Sequence, residues 1–434
     1  MKKSLLAHKD ALWRYDSQSP RTKTVASLIF PSSLFTVPKN WKKRKTFIIV
    51  SSVFLATGLL VMLLGAELLT RKPVNPPDVF VGMDIGYGDE QTAIKLIDKV
   101  ADYVNLIILG SLEVTMDTEA LTRVCDHMYQ KDLHFIVYVA FAEYGFTPPR
   151  GPDPQFFVQA ADRWGNKFLG TYVFDEIGGK LVDGAHSINI TAADSYNEAA
   201  TLYTHHLNFF LGNVTQYYQP AEFQVFTSDY ALYWYDYLAG YDVVFGEFVG
   251  NSSRQIAAGL VRGAAKTLNK DWGIIITWSN LQSFVEYPDQ LYNDMVLAYQ
   301  NGAKYIIVFN SPGFNSTSPH PPPTEYGTLT TEHLEKMQKF WNYVQIQPHA
   351  ENYPANTAYV LPSDYGYGFR GSDDKIWDNW EADMVSPQIM NDINLLLQTH
   401  VLYLDIVYET KIGNIPINLP YDRLLFWNGT TIQK

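Results

Sequence analysis

The sequence has 434 residues and is acidic overall, with a formal net charge of −12 at pH 7. The charge is unevenly placed, since residues 1–46 carry eleven Lys and Arg against two Asp and the remainder is strongly acidic. An acidic domain repels phosphate backbones, which argues against nucleic acid as a partner. Cys125 is the only cysteine, so no intramolecular disulfide can form and the fold must be stabilised by its core.

The first element in chain order is an apolar run from Phe47 to Ala66 that contains no charged residue. About twenty such residues cross the hydrocarbon core of a bilayer as a helix, and we predict a transmembrane helix over residues 47–69. The basic tail, residues 1–46, ends directly before this run. The positive-inside bias therefore predicts a cytoplasmic N-terminus and an extracytoplasmic C-terminal domain. A cleaved signal peptide, the alternative, would have a shorter apolar core nearer the N-terminus.

Two features after this run agree with an outward-facing domain. Residues 70–78 form a Pro-rich segment, and proline stiffens such a spacer. Sequons for N-glycosylation all follow the run, at Asn189, Asn213, Asn251, Asn315 and Asn428. The sequence therefore predicts a single-pass glycoprotein of the cell membrane that contacts the lipid bilayer through residues 47–69.

From residue 79 onward, short apolar runs alternate with stretches of helical period. The runs are 79–85, 104–110, 134–141, 168–174, 222–228, 241–247, 272–278 and 304–310. Helices are predicted near 90–102, 117–131, 154–164, 191–211, 253–269, 289–301 and 330–345. Strands that alternate with helices form parallel sheets, and eight such units make a (β/α)8 TIM barrel. We predict this barrel for residues 79–348.

A doubly wound sheet is the structural alternative, but it would usually carry a glycine-rich phosphate turn after its first strand, and GMDIGYG is not such a turn. Residues 229–240, between the fifth and sixth runs, are short and aromatic and give the weakest helical signal. After residue 350 the pattern changes. Strand-like segments and one helix are predicted there, at 356–362, 401–408 and 423–428 and near 386–399. We predict a small C-terminal α/β appendage over residues 349–434.

Polar side chains follow the apolar runs at the ends where a TIM barrel carries its active site. A carboxylate follows six of the eight runs, and most have an aromatic neighbour. The candidate residues are Asp84, Tyr87, Glu113, Glu143, Tyr144, Asp175, Glu176, Asp229, Tyr230, Glu247, Trp278, Asn280 and Asn310. Carboxylates act as acids, bases or nucleophiles and bind hydroxyl groups, and flat rings stack on sugars. For each acid alone, the alternative is a helix cap, because Asp and Glu favour the first turn.

The most informative segment is FLGTYVFDEIGG, residues 168–179. Asp175 and Glu176 directly follow the fourth run, and the two glycines after them predict a flexible turn. Here the sequence resembles the TIM-barrel glycoside hydrolases, in which an acid after strand four is frequently catalytic. The resemblance covers roughly residues 79–345 at the level of architecture and assigns no family. It implies an enzyme that hydrolyses poly- or oligosaccharide with paired carboxylates.

The resemblance leaves the second carboxylate open. One large group of these enzymes uses an acid after strand seven, where this chain has Trp278 and Asn280. Another group pairs acids after strands four and six, and Glu247 stands at the latter position. We therefore predict that Asp175 or Glu176 works with Glu247, while the other strand-end residues bind substrate. Without the strand-seven acid, an inactive barrel that binds glycans or organises the cell surface is the alternative.

Neither a metal nor an organic cofactor is predicted. His205 and His206 are adjacent in a predicted helix and point to different faces, which is poor metal-ligand geometry. The scarcity of clustered histidine also weakens a further alternative, a barrel hydrolase of another class that needs a metal. The aromatic segment 230–237, which contains Trp234, is either a sugar-stacking platform or ordinary packing.

Overall fold

The structure, a computed structural model, describes residues 78–140, 152–185, 188–218, 223–277, 286–311, 324, 326–347, 355–409, 411–412, 415–416 and 419–434. The predicted transmembrane helix, residues 47–69, lies outside these ranges, as do the basic tail and almost all of the Pro-rich segment. Within the described ranges, none of the helices combines the length and the apolar character that crossing a bilayer requires.

Eight parallel strands close into a barrel in which each strand pairs with its neighbours in the chain. They are β1 (Phe80–Ile85), β2 (Leu106–Leu109), β3 (His134–Val139), β4 (Phe168–Val173), β5 (Gln224–Asp229), β6 (Val243–Phe248), β7 (Asp271–Ile276) and β8 (Tyr305–Asn310). Each strand overlaps one of the apolar runs, so the predicted (β/α)8 barrel is confirmed. The doubly wound alternative is wrong, because β8 pairs with β1 along its whole length.

Helices surround this barrel. They are α1 (Glu90–Val100), α2 (Leu112–Thr115), α3 (Thr118–Gln130), α4 (Pro154–Trp164), α5 (Ile177–Val182), α6 (Tyr196–Tyr218), α7 (Tyr233–Ala239), α8 (Arg254–Leu268), α9 (Pro288–Gln300) and α10 (Thr331–Ile346). Asp89 and Asp117 begin α1 and α3 as caps, each accepting a backbone N–H of the first turn. The sequence did not predict the short helices α2, α5 and α7, because fewer than eight residues give little periodic signal.

Strand side chains alternate between the interior of the barrel and the layer beneath the helices. Val81, Ile107 and Val244 belong to the layer beneath the helices. The barrel interior is filled by a separate cluster, which contains Phe80, Leu106, Ile108, Ile136, Tyr138, Tyr172, Phe226, Val243, Phe245, Ile275, Tyr305 and Ile307. This alternation decides which strand-end residues point into the mouth of the barrel.

The C-terminal segment contains a four-stranded sheet in the order β10-β9-β13-β14. Its elements, with a separate strand pair β11–β12, are β9 (Thr357–Leu361), α11 (Ser386–His400), β10 (Leu404–Tyr408), β11 (Lys411–Ile412), β12 (Ile415–Pro416), β13 (Arg423–Phe426) and β14 (Thr431–Gln433). Helix α8 of the barrel packs on β10 at very short range. A Cβ on Gly263 would lie 2.7 Å from the carbonyl oxygen of Ile406, so a side chain at this position would separate the two elements.

A buried ion pair also joins α8 to this sheet. Arg262 donates from Nε to Asp405 Oδ1 at 2.6 Å and from Nη1 to Asn301 Oδ1 at 2.6 Å. The other oxygen of Asp405 accepts the hydroxyl of Tyr421 at 2.8 Å. Both charged groups are buried, and their hydrogen bonds offset part of the cost of removing them from water.

We expect Asp405→Ala to lower the free energy of unfolding by about 3–5 kcal/mol, because the substitution leaves Arg262 buried without a counter-charge. Urea denaturation of the variant measures this loss. The double variant Arg262→Met, Asp405→Leu should lose less, since it buries no charge. The matched control is Asp289→Ala, which breaks an exposed pair with Lys336 and should change stability little. Equal losses in Asp405→Ala and the control would contradict the prediction.

Candidate active site

A cavity of about 330 Å³ opens where the barrel strands end. Five of the residues predicted for the site line it, namely Asp84, Tyr87, Asp175, Glu176 and Glu247. Further polar or aromatic lining side chains that the sequence did not predict are Tyr138, Tyr172, Lys180, Ser228, Thr277 and Phe309. The strands therefore bring Asp84 and Glu247, two acids from distant parts of the sequence, together with the pair after β4.

Alternation along each strand explains which residues reach this cavity. Glu247 lies two residues after Phe245, and Ser228 lies two residues after Phe226, and both of these phenylalanines point into the barrel. Side chains at the same parity share a face of the strand. The parity of each run is visible in the sequence, so Ser228 could have been predicted by counting from the interior residues.

A chain of hydrogen bonds connects the acids of β4 and β6. The hydroxyl of Tyr172 donates to Asp175 Oδ1 at 2.5 Å, and the backbone N–H of Ser228 donates to that hydroxyl at 3.1 Å. The hydroxyl of Ser228 donates to Glu247 Oε1 at 2.6 Å. Tyr172, Ser228 and Glu247 are all buried. Two hydroxyl groups thus fix the positions of both carboxyl groups.

Glu247 and Glu176 are two carboxyl groups of the same cavity, and each affects the pKa of the other. Burial raises the pKa of Glu247 well above its ordinary value, and the nearby charges of Glu176 and Asp175 raise it further. Burial, followed by the charge of Asp175, also raises the pKa of Glu176, against the opposing effect of Lys180 and a hydrogen bond with Glu247. Glu247 Oε2 is buried and meets no donor among the described residues. Protonation of Glu247 removes the cost of burying its negative charge.

Lys180, one turn into α5, is the cation of this cluster. Its Nζ donates to the backbone carbonyl oxygen of Asp175 at 2.7 Å and lies 3.5 Å from Glu176 Oε2 and 3.8 Å from Asp175 Oδ2. The contact with Lys180 opposes the rise in the pKa of Glu176, whose main causes are burial and the charge of Asp175. Lys180 therefore favours the ionised form of Glu176.

The backbone that carries Asp175 and Glu176 is strained. Phe174 and Glu176 have φ values of +56° and +58°, in the left-handed region that non-glycine residues rarely adopt. Helix α5 begins at the next residue, so the flexible turn predicted for Gly178 and Gly179 is wrong. Glycine is needed there for close packing, because a Cβ on Gly179 would lie 2.2 Å from the ring of Tyr230.

Asp229 anchors this strained segment from behind. It has the outward parity of β5, and its carboxylate accepts the backbone N–H groups of Gly178 and Gly179 at 2.6 and 2.7 Å. Burial raises the pKa of Asp229 to about 7, although these and other backbone hydrogen bonds oppose the shift. Asp229 does not line the cavity. The sequence predicted substrate binding for it, and the structure gives it the position of an anchor for α5.

Other predicted residues also lie away from the cavity. The hydroxyl of Tyr230 donates to Asp183 Oδ2 at 2.7 Å. Glu113 is exposed in α2. Asn310 is buried with outward parity, and its Oδ1 accepts the backbone N–H of Thr328 at 3.1 Å, which anchors the segment after β8.

The aromatic segment packs against the C-terminal sheet. Trp234 is buried, and its ring centroid lies 5.6 Å from that of Tyr408 on β10. Tyr235 makes similar contacts with Tyr408 and Trp377. Of the two interpretations of this segment, packing agrees with the structure, because Trp234 does not line the cavity.

Four predicted residues, Glu143, Tyr144, Trp278 and Asn280, lie outside the described residues. The cavity position at the end of β7 is occupied by Thr277, directly before residues 278–285, which are also outside the described ranges. Within the part of the chain that the structure describes, no group of three or more His, Cys, Asp or Glu is placed to hold a metal ion.

No protein-family model matches the sequence, and a search of curated proteins gives no match. Among solved structures, the fold is similar to a β-galactosidase from the haloarchaeon Halorubrum lacusprofundi, with 8% identity and a TM-score of 0.51 over 80% of this chain and 69% of that chain. Two further similar structures have lower TM-scores. A β-galactosidase from Marinomonas ef1 is 10% identical, with a TM-score of 0.48 over 80% of this chain and 72% of that chain. An endo-1,4-β-mannanase from Rhizomucor miehei is 10% identical, with a TM-score of 0.38 over 62% of this chain and 97% of that chain. These neighbours are TIM-barrel glycoside hydrolases. At such low identity the likeness establishes the fold, which this chain shares with that class of enzyme.

Proposed function

We propose that this protein is a glycoside hydrolase in which Glu247 is the proton donor and Glu176 is the carboxylate that attacks the sugar. The single observation that carries the proposal is that Glu247, which is buried, and Glu176, which is half-buried, line the same cavity at the strand ends. Glycosidases need one protonated and one ionised carboxyl group at the same pH. Burial and like-charge repulsion supply this difference in other enzymes.

With Glu176 as the attacking group, the proposed mechanism is a retaining one. Inverting enzymes separate their carboxyls by roughly 6.5–9.5 Å to admit a water, whereas retaining enzymes bring them to about 5–5.5 Å. In the first step, Glu247 gives its proton to the glycosidic oxygen as the bond to the anomeric carbon breaks, and Glu176 forms a bond to that carbon. In the second step, Glu247 takes a proton from water, which displaces Glu176 and releases the sugar.

Asp175 has a supporting role in this proposal. Its carboxylate is held by Tyr172 and Ser228 and lies near Lys180. A negative charge at this position stabilises the oxocarbenium character of the transition state and disfavours ionisation of Glu247. The binding of substrate rings falls to Tyr87, whose side chain is exposed at the mouth.

The second candidate function is an inactive barrel that binds glycans. The observation that favours it is Thr277 at the cavity position of β7, where many barrel glycosidases carry an acid. A panel of oligosaccharides, incubated with the full-length protein in detergent, separates the two. Hydrolysis that resists a chelator supports the proposal, binding without turnover supports the inactive barrel, and loss of activity on chelation contradicts both.

Ser228→Ala gives a pH test of the assigned proton donor. The hydrogen bond from Ser228 favours the ionised form of Glu247, so its loss raises the pKa of Glu247. Activity requires the protonated form, so the alkaline limb of the pH profile of kcat/KM is expected to move to higher pH by about one to two units. Ser252→Ala, an exposed serine away from the cavity, is the matched control. A downward shift of the alkaline limb, or no shift, would contradict the assignment of Glu247 as the proton donor.

We also propose that residues 47–69 anchor the protein in the cell membrane with the barrel outside. The uncharged run and the basic residues before it support this orientation. In intact cells, an added protease should digest the C-terminal domain and spare an epitope on residues 1–46. Release of the protein by alkaline carbonate would show that it is not embedded. Protection of the C-terminal domain in intact cells would reverse the orientation.

A further inference from the structure

Among the described residues that line the cavity, Asp84 is the one acid that neither the hydrogen-bond chain nor the proposed carboxyl pair uses. It lies on β1 with inward parity and lines the cavity. Only 8% of the residue is exposed, and its Oδ1 has no hydrogen-bond partner among the described residues. Burying a carboxylate without a partner costs free energy, so a group of this kind at a cavity wall is a candidate for binding a ligand.

The surroundings of Asp84 leave room for its carboxyl group. Gly110 follows β2 beside it, and a Cβ at that position would lie 2.7 Å from Asp84 Oδ1. Any larger residue at position 110 would displace the carboxyl group. Glycine at position 110 leaves this space to the carboxyl group of Asp84 and has no side chain that could donate a hydrogen bond to it.

The charge of the cavity favours a cation as this ligand. Asp84 shares the cavity with Asp175, Glu176 and Glu247, and within the described part of the lining Lys180 is the basic side chain. Lys180 is held by Asp175 and Glu176. Even with one proton on Glu247, the carboxylates outnumber the ammonium group. A ligand cation is therefore attracted by the whole lining, whereas a neutral hydroxyl offsets none of this charge.

The form of the site favours an ammonium group over a metal ion. A hard metal ion takes six or more oxygen ligands, whereas Asp84 supplies one carboxyl group, and the aromatic side chains Tyr138 and Phe309 line the same cavity. An ammonium group needs few ligands and is attracted by ring faces. Burial and the charge of Asp175 raise the pKa of Asp84 well above its ordinary value, a cost that a bound cation would relieve.

We propose that Asp84 is the counter-ion of a protonated amine, so that the substrate class is an amino-sugar glycan whose amines are not acetylated. The inference rests on the proposed function, because it places the amine-bearing ring next to the carboxyl pair. Acetylation removes the charge and adds bulk, so an N-acetylated glycan lacks the recognised group. The proposal assigns Asp84 to substrate binding and no step of bond cleavage to it.

The test compares oligosaccharides that differ only at C2, namely oligomers of glucosamine, N-acetylglucosamine and glucose, together with their galacto counterparts. Binding is measured by calorimetry with full-length Glu247→Gln protein in detergent, which prevents hydrolysis during titration. We expect amine-bearing oligomers to bind roughly tenfold to a hundredfold more tightly than both congeners. Asp84→Asn in the same background should abolish this preference. Asp162→Asn, the same change at an exposed position of α4, should preserve it.

Several outcomes overturn the inference. Equal binding of all three congeners, or a preference that survives in Asp84→Asn, removes Asp84 as a counter-ion. If Asp84→Asn does not fold, Asp84→Ser is measured in its place with the same expectation. Hydrolysis of neutral glycans by the wild-type protein without any amine preference overturns this inference and leaves the proposed function standing. An amine preference without hydrolysis of any glycan supports the subsite and overturns the proposed function.

Discussion

Replacing Glu247 by Gln is expected to lower kcat on a natural glycan by about two to four orders of magnitude, the usual contribution of a general acid. The amide keeps the shape of the side chain but cannot give a proton to the departing oxygen. Hydrolysis of an aryl glycoside with an acidic leaving group should fall much less, because that group departs without protonation. The measurement is the ratio of the two rates in variant and wild-type protein.

The pH profile gives a second readout of the same variant. Burial holds the pKa of Glu247 above its ordinary value, so the protonated form persists as pH rises and is lost when pH passes that pKa. The wild-type protein should therefore show an alkaline limb that Glu247→Gln lacks. Glu113→Gln is the matched control, because Glu113 is exposed and lies outside the cavity. Wild-type activity in Glu247→Gln would exclude this residue from the mechanism.

The barrel was predictable from the sequence because its signal is repeated eight times. Each apolar run is long enough to fill a strand buried on both faces, and the errors at strand ends, as at β5 and β7, are one or two residues. The short helices α2, α5 and α7 were missed because a helix of this length depends on tertiary contacts more than on period. Helix α5 is an example, since Asp229 binds the backbone N–H groups at its start.

The site was only partly predictable, because proximity to a strand end is a weaker criterion than parity. Asp229 and Asn310 stand at the ends of β5 and β8, yet both point away from the barrel interior. Their neighbours Ser228 and Phe309 point inward and line the cavity. Counting in steps of two from the interior residues would have separated these cases.

Other features could not be derived from the sequence. The unsatisfied oxygen of Asp84 and the pairing of Glu176 with Glu247 depend on distances between strands that are far apart in the chain. The aromatic segment around Trp234 also has a composition that suits either stacking on sugars or packing. The position of β10 decides between them, because Tyr408 covers Trp234.

Replacing Glu176 by Ala is expected to abolish turnover and to allow chemical rescue. The methyl group cannot form the bond to the anomeric carbon, so kcat should fall by about three orders of magnitude or more, as for loss of a nucleophile. Sodium azide can enter the space left by the carboxylate and attack the sugar in its place. The product, a glycosyl azide, should have the anomeric configuration opposite to that of the substrate. Nuclear magnetic resonance of the azide product measures this configuration.

Asp175→Ala decides between the two adjacent acids, which the sequence left open. Asp175 is held by Tyr172 and Ser228, and we assign it an electrostatic role. Its loss should therefore lower kcat without azide rescue, because Glu176 still forms the covalent bond. If azide rescues Asp175→Ala and not Glu176→Ala, the nucleophile is Asp175, and the strained backbone at Glu176 serves to orient its neighbour. An azide product that retains the configuration of the substrate in Glu176→Ala would contradict direct attack by this residue, because a single displacement at the anomeric carbon inverts it.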